Sequence, residues 1–228
     1  MVYRGFFKRI FDLVLSFIAL IVFFPLFLAL SFMVKVKLGS PVFFTQKRPG
    51  LNERIFTMNK FRTMTNEKDD NGELLPDNKR LTGFGKFLRS TSLDELPEFI
   101  NVIRGDMSIV GPRPQLVKDM VFMTDEQKKR HSVLPGITGW AQVNGRNNIS
   151  WEEKLSLDLQ YVKDISFLKD CKIILMTLAK VFKRDDVVTK GMDTAEDFGD
   201  YLLRTGKIDK GEYDEKIKFS KKLLEKNL

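Results

Sequence analysis

Residues 11 to 34, "FDLVLSFIALIVFFPLFLALSFMV", are apolar apart from Asp12, Ser16 and Ser31. An apolar run of this length must be taken up by a protein core or a bilayer, so it restricts the fold more than any other stretch. As one straight helix it would be roughly 36 Å long, enough to cross a hydrocarbon layer. Pro25, near the middle, removes a backbone hydrogen bond and clashes with the preceding turn. Each half would then reach about 21 Å at most, too short to cross alone. Arg4, Lys8 and Arg9 precede the run, and Lys35 and Lys37 follow it. Lys and Arg favour the cytoplasmic side. A helix that breaks and returns therefore competes on equal terms with a kinked helix that spans, and the pattern leaves both open. No small-residue cleavage site follows the run, which argues against a signal peptide.

With 43% hydrophobic residues over 228 positions, the chain can build one sizeable core plus appendages. Its net charge of +8 and pI of about 9.4 favour an anionic partner: nucleic acid, lipid headgroups or a phosphorylated substrate. The basic residues interleave with acids and carry no nucleic-acid motif, so nucleic acid is not expected. A single cysteine, Cys171, can form no internal disulfide and fits a cytosol-facing protein. One cysteine and one histidine cannot build a Cys/His zinc site. A Ser-His-Asp triad would have only His131, inside the charged run "DEQKKRHSV". There is no GxxxxGK[ST] loop and no GxGxxG after a strand. An enzyme made from this chain must work with carboxylates and basic residues.

"PVFFTQKRPGLNERIFTMNKFRTM" reads as two short strands around a Pro49-Gly50 turn. Lys47, Arg48, Arg54, Lys60 and Arg62 crowd that hairpin, and a solvated edge accounts for most of them. "TNEKDDNGELLPDNKR" is a polar loop, and "DEQKKRHSVLPGITGWAQVNGRNNIS" has little regular structure until Ser150. There Ser150 and Glu153 form a capping-box pattern that opens a helix with Trp151, Leu155, Leu159 and Val162 on one face. A second helix carries Ile173, Ile174, Met176, Leu178 and Val181. The tail "KIDKGEYDEKIKFSKKLLEKNL" is a lysine-rich amphipathic stretch.

The densest chemistry lies in "TSLDELPEFINVIRGDMSIVGPRP", residues 91 to 114. Ser92 and Glu95 match a capping box, while Pro97 favours a first-turn position. Leu96, Phe99, Ile100 and Ile103 are expected on a core-facing stripe. Asp94 and Glu95 would then sit at a helix N-terminus, where carboxylates stay ionised and phosphates are attracted. An ionised aspartate beside a phosphate is a competent nucleophile. Mg²⁺ would suit such hard oxygens, with substrate phosphates completing its shell. Arg104 and Arg113 offer forked phosphate donors. A helix start followed by a core helix explains the same residues, so spacing alone does not select phosphoryl transfer.

"SLDELPEFINVIRGDMSIVGPRP" resembles the core signature of the bacterial sugar transferases, the monotopic polyprenyl-phosphate phosphoglycosyl transferases. "FKRIFDLVLSFIAL", "VFFTQKRPGLNERIFTMNKFRTM", "LPGITGWAQVNGRN" and "KLSLDLQYVKDISFLKDCKIILMTLAKVFKR" match further family blocks in order, to about residue 190. The likeness is to the small members that begin glycan assembly, such as the initiating transferase of Campylobacter-type N-glycosylation. The resemblance implies a transferase of glycoconjugate biosynthesis, in exopolysaccharide assembly or protein glycosylation. It would move a phosphosugar from a UDP-sugar, such as UDP-diacetylbacillosamine, to undecaprenyl phosphate. UMP would leave through a ping-pong sequence with a covalent aspartyl phosphosugar. It implies Asp94 as nucleophile and Glu95 as its assistant, both at a Mg²⁺ ion. Lys60, Arg89 and Arg113 would bind phosphate, and Gln142, Asn144 and Arg146 the nucleotide or sugar.

The implied fold is α+β. A re-entrant membrane helix broken at Pro25 spans residues 1–36, and a catalytic domain spans 37–190. That domain is mainly helical, with a small antiparallel sheet and amphipathic helices on the membrane surface. A tail of unknown role covers 191–228. Close relatives often carry Ser-Pro at the break, where this chain has Phe24-Pro25, so a hydroxyl able to satisfy a freed carbonyl is missing. The implied setting is the cytoplasmic face of the bacterial inner membrane. A homo-oligomer and downstream glycosyltransferases are further implied partners. A catalytically silent scaffold or a membrane-anchored anion-binding module is the alternative.

Overall fold

In a computed structural model that describes residues 3–145, 149–183 and 196–226, the apolar run forms two helices. These are α1 (Lys8–Val22) and α2 (Phe24–Leu38), bent by 65°. No single described helix is long and apolar enough to cross a membrane. The break falls at Phe23, with Pro25 in the first turn of α2, where a missing N–H costs least. Helical hydrogen bonding closes up on either side: Phe23 N donates to Ala19 O, and Phe27 N to Phe23 O, each at 2.8 Å.

Both outer ends of this hairpin are fastened to the body. Lys8, Asp12 and Ser16, spaced by four, form a buried face of α1. Lys8 Nζ donates to Asp170 Oδ2 at 2.6 Å, and Ser108 Oγ donates to Asp12 Oδ2 at 2.7 Å. Arg9 donates to the Val102 and Ile103 carbonyls at 2.6 and 3.0 Å. The cations ahead of the apolar run, which sequence reading took as a flank, are thus used for docking, whereas Lys35 and Lys37 stay exposed. At the other end, Leu30, Val34 and Leu38 bury against Phe61 and Leu88. Between the two docks, Phe17, Ile21, Val22, Phe24 and Leu28 remain exposed.

Strands β1 (Phe43–Pro49) and β2 (Ile55–Phe61) form the expected antiparallel hairpin, with Phe43 opposite Phe61 and Pro49 opposite Ile55. The polar segment after it is not all loop, since α3 (Asp77–Arg80) ends it. Next come α4 (Gly83–Ser90), a 3₁₀ turn at Leu93–Glu95, α5 (Glu98–Arg104) and β3 (Ser108–Val110). Beyond them lie α6 (Val117–Met120), α7 (Asp125–Lys128), a 3₁₀ turn at Lys129–Ser132 and β4 (Gly136–Thr138). The remaining helices are α8 (Trp140–Asn144), α9 (Trp151–Lys163), α10 (Phe167–Lys183), α11 (Phe198–Arg204) and α12 (Lys210–Lys226).

Mostly helical with a small antiparallel sheet, the fold is α+β. A second strand pair departs from the expectation of irregular chain before Ser150: β3 and β4 run parallel, Ser108 opposite Gly136 and Val110 opposite Thr138. Their backbones approach so closely that a Cβ on Gly136 would lie 2.1 Å from Gly111 N. Ser150 caps α9 as expected, its Oγ accepting from Glu153 N at 3.1 Å. The main core gathers Phe56, Met58, Val102, Met107, Val110, Tyr161 and Ile173 between the hairpin, α5, β3 and α10.

Candidate active site

Helix α5 differs from its expected form. Its fully buried residues are Glu98, Asn101 and Val102, while Leu96, Phe99, Ile100 and Ile103 are half-buried. A polar seam to β2 drives this rotation. Asn101 Oδ1 accepts from Asn59 N at 3.0 Å, and Asn101 Nδ2 donates to Thr57 O at 2.7 Å. Glu98 pairs with Lys60 at 3.1 Å.

Nor does the Ser92–Glu95 capping box form. Ser92 lies in the left-handed region at φ 55°, with no side-chain cap, and α5 begins only at Glu98, after Pro97. Asp94 and Glu95 occupy the preceding 3₁₀ turn instead of the helix start. A serine held at positive φ is a mild local strain, on the order of 1 kcal/mol. It aims the two adjacent carboxylates differently.

Glu95 Oε1 accepts from Lys60 Nζ at 2.7 Å and from Arg113 Nη2 at 2.6 Å. Burial alone would raise Glu95, but Arg113 and Lys60 overcome it and hold the carboxyl well below the usual range. In turn Glu95 raises Arg113. Burial pulls Lys60 down, and Glu95 and Glu98 more than offset it. Asp94 is 8% exposed. Burial, with the Glu95 charge beside it, pushes Asp94 up to about 6. Burial likewise lifts Glu98 to about 7, against the pull of Lys60. Neighbouring carboxylates have thus been driven apart by their surroundings, a pattern that marks candidate reactive groups.

Arg113 is held from behind. Pro112 and Pro114 flank it just past β3, and its carbonyl accepts from Arg130 Nη2 at 2.6 Å. Arg130 is itself buried on Asp158, also at 2.6 Å. Beside Arg130, His131 is buried and pushed down to about 3 by desolvation and that guanidinium, so it stays neutral.

These groups border a cavity of about 420 Å³, lined by Glu95, Arg89 and Arg113 among others. Arg89 is anchored through Nε to Thr63 Oγ1 at 3.0 Å. Asp94 and Lys60 are not among the residues that line it: Asp94 adjoins the lining residue Glu95 in sequence, and Lys60 pairs with that glutamate. Gln142 lines it, with Nε2 donating to Ile137 O at 3.0 Å. Asn144 does not: it is exposed, and its amide donates to Trp140 O at 2.7 Å. Arg146 lies outside the described residues, and Arg104 is exposed at the far end of α5.

Sequence reading missed Arg48, which it placed on a solvated edge. Arg48 lines the cavity, donates to Pro114 O at 3.3 Å and to Gln46 Oε1 at 2.6 Å, and keeps its buried Nε without an acceptor. Burial and Arg113 push it down to about 10, so it remains a cation at neutral pH. Its place in "TQKRP" gave a signal, since strand alternation sets Arg48 opposite Phe56 in the hairpin, apart from Lys47.

Residues 3–184 match the family model of the bacterial sugar transferases. The chain belongs to that family. As a bacterial sugar transferase it is an enzyme that transfers a sugar phosphate. It is 49% identical over 191 residues to the uncharacterized sugar transferase EpsL of Bacillus subtilis, which covers 84% of this chain and 95% of that one. It is 37% identical to the exopolysaccharide production protein ExoY of Rhizobium meliloti, over 78% of this chain and 86% of the relative. To the UDP-glucose:undecaprenyl-phosphate glucose-1-phosphate transferase of Xanthomonas campestris it is 42% identical, over 76% of this chain but 38% of that longer protein. The sugar transferase described here therefore spans nearly all of the short relatives and about two fifths of the long one.

Proposed function

We propose that this enzyme transfers a phosphosugar from a UDP-sugar to undecaprenyl phosphate and releases UMP, with Asp94 as a covalent nucleophile. The observation that carries the reading is the pairing of one nearly buried carboxylate, Asp94, with a neighbour, Glu95, that fixes two cations at the cavity edge. A nucleophile for phosphorus must be ionised at working pH yet poorly solvated, and a group raised to about 6 meets both demands at pH 7.

In the first half-reaction an Asp94 oxygen attacks the β-phosphorus, the phosphoanhydride bond breaks, and its electron pair leaves with UMP. In the second, an oxygen of undecaprenyl phosphate attacks the same phosphorus, and the Asp94 carboxylate is restored. Arg113, Arg89 and Arg48 offer donors to the diphosphate, and Lys60 keeps the charge of Glu95 and Glu98 from repelling it. Glu95 acts by orienting Arg113 and Lys60.

Among the described residues no group of three or more His, Cys, Asp or Glu side chains could hold a metal, so a cage made wholly of protein is absent. A Mg²⁺ ion fits the donor set only when diphosphate oxygens complete it. Asp94 and Glu95 would hold it, and it would supply charge neutralisation. Both cations on Glu95 bond Oε1, which makes Oε2 the candidate ligand.

The bent α1–α2 pair is proposed to dip into the cytoplasmic leaflet of the inner membrane and return. Its two ends dock on one body, and its exposed apolar side chains cluster between them. Exposed Leu168 and Leu175 on α10 offer a further apolar surface for the bilayer. The catalytic unit is taken as residues 37–190 and the donor as an N-acetylated 6-deoxy hexosamine nucleotide. Relatives named for glucose and galactose make UDP-glucose and UDP-galactose the competing donors.

The test is UMP release from these three UDP-sugar classes, with undecaprenyl phosphate and Mg²⁺. Wild-type turnover on one donor, together with a phosphosugar mass adduct on the protein when the acceptor is withheld, supports the reading. An Asp94→Asn variant that still turns over would remove Asp94 as nucleophile.

A further inference from the structure

The family match stops at residue 184, yet the cavity that holds Glu95 and Arg113 is also lined by Glu196 and Asp197. Those two residues open the C-terminal appendage, α11 and α12, and several contacts fix them in place. Trp151 Nε1 donates to the Glu196 carbonyl at 3.1 Å, and Phe198 N donates to Asp119 Oδ1 at 2.9 Å. Asp197 pairs with Lys118, and Glu196 with Arg204 at 2.7 Å. Behind them Phe198 packs on Trp151 with ring centroids 5.0 Å apart. Gly199 admits Phe122 so closely that a Cβ there would lie 2.5 Å from the ring. Phe198 and Leu202 are buried in a core shared with Val121, Phe122, Trp151 and Leu155, so the appendage is part of the body and not a loose tail.

The cavity is therefore built from two sources, the family portion and an appendage outside the family match. Its chemistry divides the same way. Arg48, Arg89 and Arg113 suit a diphosphate, whereas the appendage brings two carboxylates, Glu196 paired with Arg204 and Asp197 with Lys118, whose remaining lone pairs accept hydrogen bonds. Carboxylates and carbonyls accept hydrogen bonds from hydroxyls, and the buried Gln142 Oε1 in this cavity has no donor among the described residues. A hydroxyl-bearing ring supplies such donors.

We propose that the appendage, through Glu196 and Asp197, is a donor-binding wall of this cavity and takes a hydroxyl-bearing ring of the nucleotide sugar. This rests on the UDP-sugar reading above. The ring is either the ribose or the transferred sugar, since both offer the same hydroxyl chemistry at opposite ends of the diphosphate.

The experiment uses the full-length protein in detergent and compares wild type with the Glu196→Ala/Asp197→Ala double variant and with Lys118→Ala. Lys118→Ala removes the ion partner of Asp197 and leaves both appendage carboxylates in the chain. Binding of UDP and of each UDP-sugar is measured by calorimetry, with UMP release for KM and kcat. The expected result is a rise of about tenfold in donor KM and Kd with kcat changed far less, and the kcat/KM ratio between two UDP-sugars shifts only where the transferred sugar occupies this wall. A loss confined to UDP-sugars places the transferred sugar at this wall, and a loss that extends to UDP places the ribose there. Unchanged affinity and donor ratio in both variants, at wild-type melting temperature, would overturn the inference while leaving the UDP-sugar reading intact. A wild type that neither binds nor turns over any UDP-sugar would sink both.

Discussion

Two networks of buried charge, one at the base of α1 and one at the cavity edge, are each built around a lysine shared by two carboxylates. At the base of α1, Asp170 accepts from Lys8 at 2.6 Å, Tyr161 at 2.7 Å and Tyr3 at 2.8 Å. Asp12 nearby takes Ser108 Oγ and the Ile109 amide. Both carboxylates there have their donors inside the protein, and neither lines the cavity. At the cavity edge, where Glu95 but not Asp94 lines the wall, Lys60 serves two carboxylates, Arg113 bonds Glu95 while 38% of its side chain stays exposed, and among the described residues Asp94 makes no ion pair. A satisfied network fixes geometry, and one left short of donors keeps free energy available for a ligand. The first therefore holds the α1–α2 hairpin to the body, and the second is where chemistry is expected.

Removing the proposed nucleophile gives the largest effect expected from this contrast. Asp94→Asn should lower UMP release by at least about 10³-fold. It should also raise the melting temperature, because a carboxylate lifted to about 6 by burial is held at a cost of roughly 3 kcal/mol at neutral pH. A variant that loses activity and stability together would contradict the assignment of these two networks to different roles. Asp170→Ala should behave in the opposite way, since it strips a buried lysine of its close partner. A cost of about 3–5 kcal/mol is expected, seen as a fall of roughly 10 °C in thermal unfolding. Activity per folded molecule should be retained.

Arg113→Lys tests the cavity network more gently. The forked donor is replaced by a point charge, and kcat/KM should fall about 10–100-fold with little change in melting temperature. Arg48→Ala should cost about tenfold by the same assay. The smallest effect is that of pH. As pH drops through about 6 the Asp94 proton returns, so kcat/KM should decline toward tenfold per unit below that point. Stability should move the other way. The folded-state value lies above the unfolded one of 3.8, so the Asp94 contribution is full below that pH and is lost as pH rises toward 6. A pH profile flat between 5 and 8 would break the link between burial and reactivity.

Much of this was legible in short-range pattern. The apolar run with Pro25, the hairpin around Pro49-Gly50 and the Ser150 cap each depend on residues a few positions apart, where periodicity and turn chemistry act. The Asp94-Glu95 pair was visible for the same reason, and the family resemblance supplied Arg89 and Arg113. Where sequence reasoning failed, the deciding partner was far along the chain. Lys8, Asp12 and Ser16 look like blemishes in a membrane helix until Asp170 and Ser108 meet them. Glu98 and Asn101 displace an apolar stripe because Lys60 and the β2 backbone require them.

By itself the sequence determined that this chain carries an apolar run interrupted at Pro25, a strand hairpin around Pro49-Gly50, and the Asp94-Glu95 pair with basic residues nearby. Those features follow from hydrophobic burial and local backbone preference, which act within a turn or two of chain. Only the tertiary structure decided that Lys60 and Arg113 share one oxygen of Glu95, that β3 and β4 lie parallel, and that Glu196 and Asp197 reach the same cavity. Each joins residues tens of positions apart, and no local preference encodes such a meeting. It exists because packing the core brings those backbones together, after which burial raises Asp94 and Glu98 while Arg113 and Lys60 hold Glu95 ionised.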